Sequence, residues 1–162
     1  MARVLVAGIG NIFFGDDGFG VEVARRLASE TMPEGVRVMD AGIRGVHLAY
    51  ELVDGQYDMA ILVDATPRGG APGTLYLLEP DVTAVDGDAA SPMDGHGLTP
   101  AALLAGLNVL GPPPGRVLVL GCEPSATEEA MELSEPVAAA VDQAVAMVRR
   151  LVAEEPAEER LQ

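Results

Sequence analysis

The sequence predicts an α/β fold: a three-layer sandwich on a mostly parallel, twisted five-stranded sheet, with helices on both faces. Three observations predict it. Short apolar, β-branched runs recur and end in glycine or aspartate, as in RVLVAG (3–8), MAILVD (59–64) and RVLVLG (116–121). Between them the apolar residues shift to a spacing of three to four. With one exception, the runs lie far enough apart for a helix to cross over between parallel neighbours. A length of 162 residues suits one domain, and 49% apolar residues suffice for a core.

The elements follow in order. Residues 3–8 form a first strand, apolar throughout as buried parallel strands are. Phe19, Val23 and Leu27 recur every four residues, with Gly20 and Ala24 beside them, which describes a helix to about Ser29. Asp16 or Asp17 stands where its N-cap would be. Residues 36–40 are a second strand, 41–45 a glycine-marked loop, 46–52 a second helix and 59–64 a third strand. Residues 74–78 follow too closely for a crossover, so this strand is antiparallel or at an edge. Residues 79–97 are the longest stretch without periodicity, the kind of loop that is often functional. Residues 99–110 read as a helix with Thr99 as cap and Pro100 at its first position. Residues 116–121 are the last strand. Ser134 caps the final helix, where Val137, Val141, Val145, Val148 and Val152 make the apolar stripe. A single α/β domain therefore spans 1–154, and 155–162 is a flexible charged tail.

Composition narrows the partners. Acidic residues number 25 against 10 basic ones, a net charge of −15, and every basic residue is an arginine. A phosphate-tracking surface needs the opposite sign, so nucleic acid is not an expected partner. No apolar run reaches the length of a membrane span. The opening apolar run is interrupted by Gly8, Gly10 and Asn11 and followed by two aspartates, unlike a signal peptide. The lone cysteine, Cys122, agrees with a cytoplasmic protein. A monomer is the default expectation.

In parallel α/β sheets ligands sit beyond the carboxyl ends of the strands. Asp16 and Asp17 follow the first strand, Asp40 ends the second and Asp64 ends the third; His96 lies in the long loop. Carboxylates and an imidazole at one sheet edge make an N/O set suited to a divalent metal. Aspartate at a strand end is also a common cap or turn residue, and a lone loop histidine is commonly solvated, so spacing alone leaves both readings open. Gly8-Ile9-Gly10 fails the dinucleotide fingerprint: position 13 is Phe13, and two acids at the helix N-terminus repel a pyrophosphate. These glycines serve a tight turn. Cys122 has Glu123 beside it and no basic neighbour, so it reads as a buried structural thiol. His47 reads as a partly buried packing residue.

The block GIGNIFFGDDGFGVEV (8–23) resembles the signature of the hydrogenase maturation proteases. The resemblance continues through DAGIRG (40–45), VDAT (63–66), APGT (71–74), SPMDGHGL (91–98), GCEP (121–124) and ELSEPV (132–137), and spans nearly the whole chain. It implies an endopeptidase that removes the C-terminal extension of a nickel-iron hydrogenase large-subunit precursor after nickel insertion, and so activates that enzyme. It implies three metal ligands, Asp17, Asp64 and His96, which would also carry the cleavage chemistry. Asp40 and Gly42, in a second glycine-rich segment, fall to substrate recognition or support of the ligands. In some members the histidine stands nearer the Ser-Pro pair; here Met93, Asp94 and Gly95 separate Pro92 from His96. The resemblance also implies that nickel arrives held by the precursor's own thiolates, while cadmium or zinc would suit the same ligands. The competing reading is a non-proteolytic, metal-sensing chaperone or assembly factor for the large subunit.

Overall fold

The residues of the first strand alternate between two cores, which is what a sheet covered on both faces demands. The computed structural model describes residues 3–42, 45–80, 114–125 and 132–160. Its elements are β1 (Val4–Ile9), a 3-10 turn (Gly15–Gly18), α1 (Phe19–Ala28), β2 (Val36–Gly42), α2 (Gly45–Asp54), β3 (Met59–Ala65), β4 (Leu75–Leu78), β5 (Arg116–Cys122) and α3 (Glu135–Arg160). The last turns of α3 overlap the segment expected as a charged tail. The helix expected over 99–110 and the part of the long loop that holds His96 lie outside the described residues.

The strands form one sheet in the order β2-β1-β3-β5-β4. β1 pairs in parallel with β2 and β3, and β3 with β5. β4 is antiparallel to β5 and forms an edge, as its short connection from β3 requires.

Val4, Val6, Ile61, Val63, Leu118 and Leu120 face one side, where Phe19, Val23 and Leu27 of α1 and the valine stripe of α3 cover them. Leu5, Ala7, Ile9, Ala60, Leu62, Val117 and Val119 face the other, against Leu48, Ala49 and Leu52 of α2. That gives the three expected layers. Each large aliphatic side chain fully withdrawn from water contributes about 1.5–3 kcal/mol before chain entropy opposes it.

The seating of α1 matters most for the site. A Cβ at Gly20 would collide with the carbonyl oxygen of Val63 in β3, and one at Gly8 with the carbonyl of Gly20. α1 therefore lies backbone-to-backbone on β1 and β3, which sets the chain just before it above the ends of those strands. Among the described residues, no helix is long and apolar enough to cross a membrane.

Candidate active site

β1 connects to β2 on one side of the sheet, while β3 lies on the other side of β1. Successive connections thus diverge between β1 and β3, and a crevice opens beyond their carboxyl ends. Two carboxylates flank it. Asp64 is the penultimate residue of β3, and Asp17 lies in the 3-10 turn that follows β1.

Local chain geometry turns the two toward each other. After β1 the backbone swings at Gly10, whose φ of 136° is a left-handed conformation open to glycine. A Cβ there would strike the carbonyl of Asp17 and stand 3.7 Å from Oδ1 of Asp64. Only a residue without a side chain lets the Asp17 backbone come this close to β1 beside the Asp64 carboxylate. Asn11 then ties the turn: its Oδ1 accepts the N–H of Phe13 at 2.9 Å, and its own N–H donates to Oδ2 of Asp17 at 2.8 Å. Oδ1 of Asp64 accepts the N–H of Ala65 at 2.8 Å.

Asp64 is 5% exposed. Burial, and then the facing charge of Asp17, push its carboxyl well above the usual carboxylate range, against the pull of the Ala65 N–H. A buried acid facing a second acid favours a shared proton or a bound cation. Among the described residues, no three His, Cys, Asp or Glu side chains stand close enough together to hold a metal ion. The third expected ligand, His96, lies outside the described residues.

Beside Gly10 a groove of about 360 Å³ runs to the end of β2. Gly10, Asn11, Ile12 and Phe13 form one wall, Val21 and Arg25 of α1 another, and Asp40, Ala41 and Gly42 the third. Gly10 thus borders both the groove and the acid pair. Asp40 pairs with Nε of Arg25 at 3.5 Å, both exposed, so this pair adds little stability. Gly42 has a φ of 54°, and its carbonyl accepts the N–H of Gly10 at 2.9 Å, which holds the two glycine-rich segments together. Phe13 (55%) and Phe14 (43%) are exposed at the same end of the sheet.

Neither Asp16 nor Asp17 caps α1: no side-chain cap bond exists at its start or at that of the 3-10 turn. Asp17 faces the crevice, and the carboxylate of Asp16 accepts the N–H groups of Ser125 and Ser134 and the Ser134 hydroxyl. Ser134 does precede α3, and its carbonyl accepts the N–H of Ala138, but its hydroxyl donates to Asp16. His47 is exposed on α2, not partly buried, because the buried face of that helix is carried by Leu48, Ala49 and Leu52.

Glu123 is a site-end residue that sequence reading passed over. Buried at the end of β5, its Oε1 accepts from the N–H groups of Arg68 and Gly70 and from the hydroxyl of Tyr76. Those bonds, the Tyr76 hydroxyl first, lower its carboxyl below the usual range. The N–H of Thr66, two residues beyond Asp64, donates to the carbonyl of Cys122 at 2.8 Å. The GCEP segment therefore anchors the loop leaving Asp64; the run of Gly and Pro in that loop was the available signal. Cys122 itself is buried, and burial, with Asp16 and Glu123 nearby, pushes its thiol up to about 11.

The family model for hydrogenase maturation protease matches residues 21–151. The hydrogenase 2 maturation protease of Escherichia coli strain K12 is 30% identical over 149 residues, covering 90% of this chain and 88% of its own. The crystal structure of the hydrogenase 2 maturation peptidase from a Thaumarchaeota archaeon superposes with a TM-score of 0.73 at 36% identity, over 94% of this chain and 99% of that one. The hydrogenase maturating endopeptidase HybD from Escherichia coli gives 0.74 at 25% identity, over 94% and 93%. Together with the parallel sheet and the acids at its switch point, these matches place the chain in the hydrogenase maturation protease family, a family of hydrolases.

Proposed function

We propose that this chain is an endopeptidase that removes the C-terminal extension of a nickel-iron hydrogenase large-subunit precursor once nickel is in place, and that it reads the nickel directly. The observation that carries this reading is that the charge of Asp17 bears on the buried carboxyl of Asp64 at the β1/β3 crevice, beside Gly10. A buried carboxylate, Asp64, facing the half-buried carboxylate of Asp17 holds negative potential that a divalent ion relieves. As oxygen donors, joined by the imidazole of His96, they bind a free ion modestly and complete the coordination of one already held by the precursor's thiolates. Cleavage then depends on metal loading through a difference in affinity.

The residues divide the work. Asp17, Asp64 and His96 hold the precursor by its metal. The groove from Gly10 to Gly42 takes the adjoining peptide, with Asp40 and Gly42 at its far end. The nickel, as part of the substrate, supplies Lewis acidity to the scissile carbonyl or to a water. Asp64, whose carboxyl is raised in the metal-free chain, gives up its proton to take the metal, and a carboxylate such as Asp17 is the base on water where the metal only positions the peptide.

The test is direct. Purified protein is incubated with nickel-loaded precursor and, separately, with metal-free precursor, and the precursor's mass is followed. A shortened chain only in the loaded sample is expected. An unchanged mass with a stable complex would instead establish a non-proteolytic assembly factor.

A further inference from the structure

Asp16 stands next to the proposed ligand Asp17, yet it is wholly buried and turns away from the crevice. Oδ2 accepts the Ser125 N–H at 2.7 Å and the Ser134 hydroxyl at 2.8 Å, and Oδ1 accepts the Ser134 N–H at 2.6 Å. Those donors lie 109 and 118 residues further along the chain. Ser125 follows β5, and Ser134 immediately precedes α3, so the carboxylate also sits at the positive end of that helix. Charge-assisted bonds of this kind are short and directional.

In a 3-10 turn consecutive side chains diverge by about a third of a turn. Fixing Asp16 against α3 therefore fixes the direction of Asp17, whose Oδ2 meets the Asn11 N–H at 2.8 Å on the crevice side. We propose that Asp16 is a positioning residue: it anchors the 3-10 turn to the β5–α3 connection so that Asp17 faces Asp64. Its importance for cleavage rests on the function proposed above; its hold on Asp17 does not.

Asp16→Asn keeps the shape and sets an amide donor against donors. Hydrogen exchange and turnover are measured at a temperature well below the variant's melting point. Asp16→Asn is expected to speed exchange of the Asn11 amide at least tenfold while Val6 and Leu62 keep wild-type protection. Cleavage of nickel-loaded precursor should lose about ten- to a hundredfold in kcat/KM, as a displaced group that holds the substrate's metal would. Ser134→Ala, which keeps both backbone donors, should move the same readouts in the same direction by a few-fold, and it serves if Asp16→Asn does not fold. A lower Tm with Asn11 exchange and kcat/KM both unchanged would overturn the proposal and leave Asp16 a plain fold-stabilising group. If wild type cleaves nothing, the proposed function fails, and Asn11 exchange still decides the role of Asp16.

Discussion

Asp64 and Glu123 are both buried carboxylates near the carboxyl end of the sheet, and their surroundings are opposite. Glu123 collects two backbone N–H groups and a tyrosine hydroxyl on one oxygen, and its carboxyl is held below the usual range. Asp64 has the Ala65 N–H and the facing charge of Asp17, and its carboxyl is pushed well above. Asp16 resembles Glu123 in its donors, accepting three hydrogen bonds. Burial alone therefore does not mark a site. An acid ringed by donors holds the chain together, whereas an acid buried against another acid is poised for something the fold itself does not provide.

The contrast can be broken most severely at the pair. Asp17→Asn, Asp64→Asn and His96→Gln should each leave a folded protein and lower cleavage of nickel-loaded precursor by about a hundred- to a thousandfold, as removing a principal transition-state contact does. The mass of the precursor after incubation checks this, and near-normal turnover by any one variant would remove that residue from the site.

The next effect concerns pH, and the two acids should show opposite signs. With its carboxyl raised, folded Asp64 keeps its proton where the unfolded chain has lost it, so its contribution to stability falls as pH rises above the ordinary carboxylate range. Asp64→Asn should therefore raise Tm at neutral pH and leave it near wild type in acid. Glu123, lowered in the fold, stabilises above its unfolded pKa and loses that contribution as pH falls through its folded one. Glu123→Gln should lower Tm at neutral pH, with the difference shrinking in acid. Thermal melts of both variants from pH 4 to 8 measure the two slopes, and parallel slopes would undo the distinction.

A smaller effect lies at Gly42, whose φ of 54° is left-handed although its Cβ position has room, 3.8 Å from Asp40 and 3.9 Å from Gly10. Gly42→Ala should cost about 1–2 kcal/mol of stability by denaturant unfolding, with the fold retained. The least change is expected at Cys122. Its thiol, pushed up to about 11 and buried, should resist alkylation at pH 8 until the protein unfolds. Rapid labelling of folded protein would contradict that placement.

The framework was legible in the sequence because parallel strands and amphipathic helices declare themselves locally. Val4 to Ile9, the Phe19-Val23-Leu27 stripe and the valine stripe of α3 all lie where their periodicity put them. The edge position of β4 followed from chain length alone. Strand ends point to Asp16, Asp17, Asp40 and Asp64 alike, and only the family resemblance singles out Asp17 and Asp64. The misreadings came where partners are remote. Nothing within a few residues of Asp16 distinguishes a helix cap from an acceptor for Ser125 and Ser134, and Glu123 looked like a mere neighbour of Cys122. His47 could not be assigned to a face because its helix carries apolar residues on both sides of it.

The contact of α1 with the sheet through Gly8 and Gly20 sets a limit on how such a scaffold can be altered. Backbone rests on backbone, so a single added methyl group must lift the helix, and with it the groove wall at Val21 and Arg25 and the turn that bears Asp17. Altering what the protein accepts is therefore a task for positions away from this contact: an engineer would change those and leave this glycine seam untouched.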